Sequence, residues 1–241
     1  MRLSDRLESI IELVPEGRVC ADIGCDHGFI SIELVSRGIS PYVYAADLRP
    51  GPLETARENI RNAGLEDRIK TVLSDGFDLL KPGDIQTAVI AGMGGVLMTE
   101  ILGRASEHTA FMDGGFVVQP QSNIQEFRQF LRSNGYEIME NRIVRDAGKY
   151  YFPMKIRACS AAVESADTEA GGMSIELSDR YGEDLLREDR GLSEYLEYEM
   201  DSLKKIKEKL LSEEGSHEDR ISEIDHLMEL NRTAFLGLNR N

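Results

Sequence analysis

Asp22-Ile23-Gly24-Cys25-Asp26-His27-Gly28 follows the first long apolar run of the chain and opens a helical pattern. Its spacing is G-x-D-x-G, at the point where a dinucleotide-binding fold carries G-x-G-x-x-G. The second glycine of that fold lets backbone approach a pyrophosphate. Asp26 stands in its place, and a carboxylate there repels a polyphosphate. Asp47 closes the second apolar run, and Asp75, within Ser74-Asp75-Gly76, follows the third. If these runs are neighbouring parallel strands, Asp22, Asp26, Asp47 and Asp75 line one crevice at the strands' carboxyl ends, where open α/β sheets bind ligands. Such a crevice suits a ligand with a ribose, an adenine and cationic groups. S-adenosylmethionine meets that description through its sulfonium and its amino group. Asp47 would accept both ribose hydroxyls, Asp75 the adenine amino group, and Asp22 with Asp26 would hold the methionine end. Gly24, Gly28, Gly76 and Gly92 complete the expected cofactor-binding set. The plainer alternative has Asp22 and Asp26 only capping loop and helix N–H groups.

The elements that must position these groups are legible as alternation. Val19–Ile23, Tyr42–Ala46, Ile69–Leu73, Ala88–Ala91 and Phe116–Val118 are short, continuously apolar runs, as expected of strands buried on both faces. Each stops at Gly, Asp, Ser or Gln. Amphipathic stretches separate them: Leu3–Leu13, Phe29–Ser36, Leu53–Asn62, Val96–Leu102 and Ile124–Leu131, the last ending at Asn134-Gly135. Tyr136–Val144 and Lys149–Ile156, joined by Arg145-Asp146-Ala147-Gly148, predict a terminal hairpin. Small polar residues over 160–174 predict a linker. After a short helix around Leu177–Leu186, apolar residues at Leu192, Leu196, Met200, Leu203, Ile206 and Leu210 fall three or four apart. The pattern breaks at Glu213-Glu214-Gly215-Ser216 and restarts at Ile221, Ile224 and Leu227/Met228. That predicts an antiparallel helical pair of coiled-coil type. The expected domains are 1–158, holding the cofactor, and 159–241, a linker plus helices.

Ala21-Asp22-Ile23-Gly24-Cys25-Asp26-His27-Gly28 together with Ala91-Gly92-Met93-Gly94-Gly95 resembles the TrmK family of bacterial tRNA (adenine-22-N1)-methyltransferases. Gln119-Pro120-Gln121 and Gly148-Lys149-Tyr150-Tyr151 add to the likeness, which covers essentially the whole chain. The resemblance implies a Rossmann-like class I methyltransferase fold: a seven-stranded sheet ending in an antiparallel pair, then a coiled-coil-like helical domain. It implies methyl transfer from S-adenosylmethionine to N1 of adenine at tRNA position 22. Two positions depart from the family pattern. Gln121 stands where asparagine is often found, and Ser31 where proline is frequent, a change expected to matter only for packing. Ala91–Gly95 occupies the place of the reactive-site loop, without the Asp/Asn-Pro-Pro-Tyr/Phe motif of enzymes that methylate exocyclic amino groups. Its glycines let base and methyl donor approach the backbone closely. Adenine N1 already owns a lone pair, so orientation, removal of the base from its stack and exclusion of water are the tasks left to the protein. His27, Met93 and Gln119 are the candidate contacts to the target base. His27 is equally readable as a helix-start hydrogen-bonding residue, and Met93 as core.

Charge is uneven along the chain. The 241 residues carry a net −15, yet residues 1–158 hold 18 Lys and Arg against 22 Asp and Glu. Residues 159–241 hold 10 against 21. Within 128–157, seven basic side chains stand against only Glu137, Glu140 and Asp146, so the sequence allows a local cationic surface on an acidic protein. Arg145, Lys149 and Tyr150, on the turn expected at the active-site face, are candidates to hold phosphates and a stacked base. Arg128 and Arg132, four apart on one helix, would extend the track. Lys204-Lys205-Ile206-Lys207-Glu208-Lys209 reads either as a second cationic stripe or, more simply, as a solvated helix face.

At 41% hydrophobic and 29% charged, the composition excludes collagen-like and largely disordered classes. No apolar run is long enough for a spanning helix, and acids within the first residues argue against a secretory signal. Cys20, Cys25 and Cys159 form no even framework and no C-x-x-C pair, so reduced thiols and a cytoplasmic location are expected, with Cys25 partly reactive. His27, His108, His217 and His226 are scattered without metal-ligand spacing. The resemblance implies tRNA as the partner; no membrane and no metal are expected, and the oligomeric state is left open between monomer and dimer. Two other readings remain: a methyltransferase-like tRNA-binding module without activity, and a nicotinamide-dependent oxidoreductase, against which Asp26 and the terminal hairpin both speak.

Overall fold

Alternate residues of the central strands face different cores, and that division organises the first part of the molecule. The computed structural model describes residues 3–159, 174–213 and 216–238. These fall into two compact units, Met1–Ser165 and Ala166–Asn241. Residues 160–173 of the linker expected at 160–174 lie outside the described residues, as do 214 and 215 of the break between the last two helices; Ser174 caps the helix that follows, accepting the Leu177 N–H.

In the first unit, seven strands form one sheet in the order β3-β2-β1-β4-β5-β9-β6. They are β1 Cys20–Ile23, β2 Val43–Asp47, β3 Ile69–Leu73, β4 Thr87–Met93, β5 Phe116–Pro120, β6 Tyr136–Asn141 and β9 Met154–Ala158. The first five run parallel, whereas β9 is antiparallel to both β5 and β6. This is the seven-stranded arrangement that the family resemblance implies. Cys20, Val43, Ala45, Val89 and Val117 point to one face, where they meet Ile10, Leu34 and Ile60 of α1 (Asp5–Ile11), α2 (Phe29–Ser36) and α3 (Pro50–Asn62). Ala21, Ile23, Ile90, Phe116 and Val118 point to the other face, where Met98, Ile101 and Phe127 of α4 (Gly95–Arg104) and α6 (Ile124–Ser133) cover them. A single turn, α5 (Ser106–Thr109), follows α4.

Two details at the carboxyl edge differ from the sequence expectation. The fourth strand does not stop at Gly92. It continues to Met93 through a register shift against β5, with Gly92 at φ +78, so a bulge re-aims the strand end beside the crevice. The terminal hairpin is also interrupted. β6 pairs with β9, while β7 (Val144–Asp146) and β8 (Lys149–Tyr151) form a separate two-stranded ribbon. Pro153 has no N–H to continue a ladder, and the Arg142 N–H already bonds its carbonyl at 2.9 Å. Phe152 and Asn141 turn inward at that break.

The second unit contains α7 (Ile175–Tyr181), α8 (Glu183–Glu188), α9 (Leu192–Ser212) and α10 (Glu218–Leu238). Gly182, at φ +93, divides what the sequence suggested as one short helix. Leu203, Ile224 and Met228 close the seam of the long pair, with Met200, Leu210 and Leu227 beside them. Asn231 bonds the Leu196 carbonyl at 3.0 Å and Lys207 pairs with Asp225, so α9 and α10 run antiparallel. No helix among the described residues is long and apolar enough to cross a membrane.

Candidate active site

A crevice of about 440 Å³ opens at the carboxyl ends of β1, β2, β3 and β4. That volume falls in the range of a cofactor-sized pocket. Asp22, Asp26, Asp47 and Asp75 all line it, as do Gly24, Gly76 and Gly92. Gly28 does not. It stands at the N-terminus of α2 with φ +73, and a Cβ there would lie 3.2 Å from Ala56 Cβ of α3. Its left-handed φ and the close approach of α3 are what favour glycine there, so its place is in helix packing and not in the expected cofactor set.

The four carboxylates are not equivalent. Asp47 is buried at the end of β2. Its Oδ2 accepts the Asp26 N–H at 3.2 Å and its Oδ1 the Arg49 N–H at 2.8 Å, which fixes the carboxylate plane. Each oxygen keeps a lone pair for a further donor. Asp26 adopts φ +49, a left-handed turn that delivers its N–H to Asp47 and leaves its side chain exposed. Asp75 is gripped by the Arg104 guanidinium through two bonds of 2.9 and 3.0 Å, which holds its carboxyl below the ordinary range. Asp22 is 2% exposed, and burial raises its carboxyl to about 6 against the Ser31 bonds that pull it down. The crevice is therefore less negative than four independent carboxylates would make it.

Ser31 is more than packing. Its Oγ donates to Asp22 Oδ2 at 2.7 Å and its N–H to the same oxygen at 3.2 Å, so a hydroxyl and an amide that proline lacks both hold this carboxylate. Cys25 is buried, and burial together with Asp22, Asp47 and Asp26 pushes its thiol far above the usual value. The partly reactive thiol expected from the sequence is instead an inert one.

Of the three residues expected at the target base, two line the crevice. Met93 closes over Gly24, whose φ is +73 and where a Cβ would sit 2.0 Å from Met93 Cε. His27 is half exposed, 3.5 Å from Asp26 and stacked on Phe29 with ring centroids 5.7 Å apart. Gln119 is fully buried and lies behind the wall. Its Nε2 donates to the Pro120 carbonyl at 2.9 Å and its Oε1 accepts from Arg6 Nη1 at 2.8 Å. An amide so committed positions Arg6 and does not reach a base, which corrects the expectation.

The expected cationic track also divides. Arg145, Lys149 and Arg132 are exposed, and Arg145 lies over the Tyr150 ring at 5.7 Å across the β7–β8 ribbon. Arg128 is 2% exposed, with its guanidinium over Phe152 at 5.4 Å. Its burial against that ring removes it from the surface, so it does not extend a phosphate track with Arg132. On α9, Lys204 and Lys209 lie 3.7 Å from Asp201 and Glu213, and Lys207 pairs with Asp225. That is the solvated-face arrangement.

Sequence reasoning missed Arg6, Arg104 and Leu48. Leu48 follows Asp47 and lines the crevice while remaining exposed, an apolar lip. Arg6 lines it from α1, whose N-terminus is capped by Ser4 accepting the Leu7 N–H. Among the described residues, no cluster of three or more His, Cys, Asp or Glu is placed to hold a metal ion.

Comparison with known proteins bears on the family and the fold. The family described as a methyltransferase domain matches residues 3–154. The tRNA (adenine(22)-N(1))-methyltransferase of Bacillus subtilis is 28% identical over 178 residues, covering 74% of this chain and 71% of that protein. The crystal structure of the B. subtilis m1A22 tRNA methyltransferase TrmK superposes with a TM-score of 0.80 at 24% identity, over 97% of this chain and 99% of that one. The structure of M. capricolum TrmK in complex with S-adenosylhomocysteine gives a TM-score of 0.79 at 23% identity, over 99% of this chain and 100% of that one. These two structural likenesses speak to the fold.

Proposed function

The chain belongs to the methyltransferase-domain family and to its TrmK branch, and on that premise we propose that it transfers a methyl group from S-adenosylmethionine to N1 of adenine in tRNA, at position 22. The observation that carries the reading is Asp47: a buried carboxylate at the end of β2, oriented by two backbone N–H groups, with unspent acceptor capacity facing the crevice. Vicinal ribose hydroxyls are the complement of that arrangement.

The residues present fit the donor. Asp47 receives the ribose. Asp75, held in one orientation by Arg104, accepts from an adenine amino group, and Leu48 covers the apolar ring. Asp22 and Asp26 face ammonium and sulfonium charge. The bare backbone at Gly24 houses the Met93 methyl, and the bulge at Gly92 turns the end of β4 beside the crevice. When bound, S-adenosylmethionine supplies an electrophilic methyl on a cationic sulfur.

Adenine N1 attacks with its own lone pair, so no proton has to leave before the bond forms. The positive charge moves from sulfur to the base and is conserved. A crevice lined by Asp22, Asp26 and Asp47 attracts that charge at every stage. It needs orientation and dryness more than a base. His27 accordingly serves as an aromatic face, with Phe29, against which the base can lie. The exposed cations Arg145, Lys149 and Arg132, with the Tyr150 ring, are assigned to the tRNA backbone. A dinucleotide is a poor occupant, because Asp26 stands where a pyrophosphate would lie.

The decisive experiment is a nucleoside digest of unmodified tRNA after incubation with the full chain and labelled donor. 1-Methyladenosine at position 22 is expected. Label in another nucleoside, or bound tRNA with no S-adenosylhomocysteine released, overturns the proposal.

A further inference from the structure

The acids of the crevice create a problem for the donor's own negative group. S-adenosylmethionine carries a carboxylate next to its ammonium, and Asp22, Asp26 and Asp47 all repel it. We propose that Arg6, on α1, is the seat for that carboxylate; this deepens the methyl-transfer reading and rests on it.

Position is the first argument. Asp47 and Asp75 stand at the ends of β2 and β3, on one side of β1. Arg6 stands on the other side, where its Nη1 bonds Gln119 at the end of β5 and lies 3.8 Å from where a Cβ on Gly92 of β4 would be. A donor with its ribose on Asp47 and its adenine at Asp75 extends its amino-acid tail toward the β1–β4 side. Arg6 lines that end of the same crevice.

Charge is the second. The other cations near the crevice already face carboxylates. Arg49 is 70% exposed and 3.9 Å from Asp47, His27 is 3.5 Å from Asp26, and Arg104 is spent on Asp75 and Asp78. Arg6 has only neutral partners among the described residues. One N–H goes to the Gln119 amide, and the guanidinium carbon lies over the Tyr151 ring, 5.5 Å from its centroid. Gln119 is turned to face it by its own bond to the Pro120 carbonyl. The guanidinium is thus held from two sides while four of its five N–H donors and its whole charge remain for an anion. A fork of parallel N–H groups is the geometry that reads a carboxylate. Arg6 therefore supplies the single point at which an acidic crevice accepts a zwitterion.

The test compares two donors on the full chain by titration calorimetry: S-adenosylmethionine, and its decarboxylated form, which keeps the sulfonium and the amine. The wild-type chain is expected to prefer the carboxylated donor. Arg6→Met should weaken S-adenosylmethionine binding by about 10- to 100-fold, the span of a charge-assisted hydrogen bond, and shift the decarboxylated donor by no more than about twofold. Retained binding of the second donor also shows that the variant is folded. Arg6→Gln keeps a donor toward Gln119 without the charge and should lose the same discrimination. Equal weakening of both donors by Arg6→Gln, or none, overturns the assignment. So does unchanged donor binding with weakened tRNA affinity, which would give Arg6 to a phosphate. A wild-type chain that binds neither donor would instead remove the functional reading.

Discussion

Glu199 in the C-terminal unit and Asp47 in the N-terminal unit are both carboxylates withdrawn from water, and their surroundings are opposites. Glu199, 8% exposed, receives Arg180 at 2.7 Å, Tyr181 at 2.7 Å, Tyr195 at 3.0 Å and Asn231 at 2.9 Å. The site is saturated by side chains that the helices themselves bring. Asp47 receives two backbone N–H groups and faces a crevice. A saturated buried carboxylate ties helices together. One oriented but left with acceptor capacity waits for a ligand, because an unsatisfied buried polar group is costly unless something completes it. Exposure alone would not separate the two; the hydrogen-bond accounting does.

The largest expected effect tests the saturated side. Glu199→Ala leaves Arg180 buried without its partner and should cost about 3–5 kcal/mol of the helical unit's stability. Denaturant unfolding reads the loss, and S-adenosylmethionine binding should be unchanged. A loss below about 1 kcal/mol would erase the contrast.

Next comes pH. The Asp22 carboxyl titrates near 6 in the folded chain, raised from its ordinary value chiefly by burial. The folded state thus holds this proton more tightly than the unfolded one. Asp22 contributes stability at low pH that is lost as pH rises from about 4 through 6, by about 3 kcal/mol. Donor binding should reverse that penalty, tightening between pH 5 and 7 as the ionised form meets a cation. Asp22→Asn should flatten both profiles, as thermal unfolding and calorimetry across that range would report.

Asp47→Asn should weaken S-adenosylmethionine by about 30- to 100-fold, since it removes the charge on a doubly used acceptor. Its effect on unfolding should be small, the reverse of Glu199→Ala. Equilibrium dialysis with labelled donor suffices as the measurement. Smallest is Lys149→Ala on the exposed ribbon: tRNA affinity should fall a few-fold, and the slope of log affinity against log salt should drop by ~1. A shift in donor affinity there would contradict the division between crevice and ribbon.

Much of this was legible in the sequence for a physical reason. Strands buried on both faces must be continuously apolar, so β1, β2, β3 and β5 announced themselves, and the acids at their ends followed. Arg6 was not legible, because one arginine in a seven-residue amphipathic helix looks like any solvated charge. Its significance depends on Gln119, 113 residues away. Arg128 misled for the converse reason. Its i,i+4 spacing to Arg132 suggested a shared exposed face, yet it follows the buried Phe127 and is covered by Phe152. Gln119 looked like a strand-end reagent, and only its two hydrogen bonds show it turned away from the crevice.

The way α1 is fastened has a consequence for the order of assembly. Arg6 is synthesised more than a hundred residues before Gln119 and Tyr151, which hold it and come late in the N-terminal unit. A growing chain can lay down β1 to β4 and their acids well before it can complete this corner, and contacts so distant in sequence form slowly. Full affinity for the methyl donor should accordingly appear only as synthesis nears the end of the sheet, so that unfinished chains hold it less tightly.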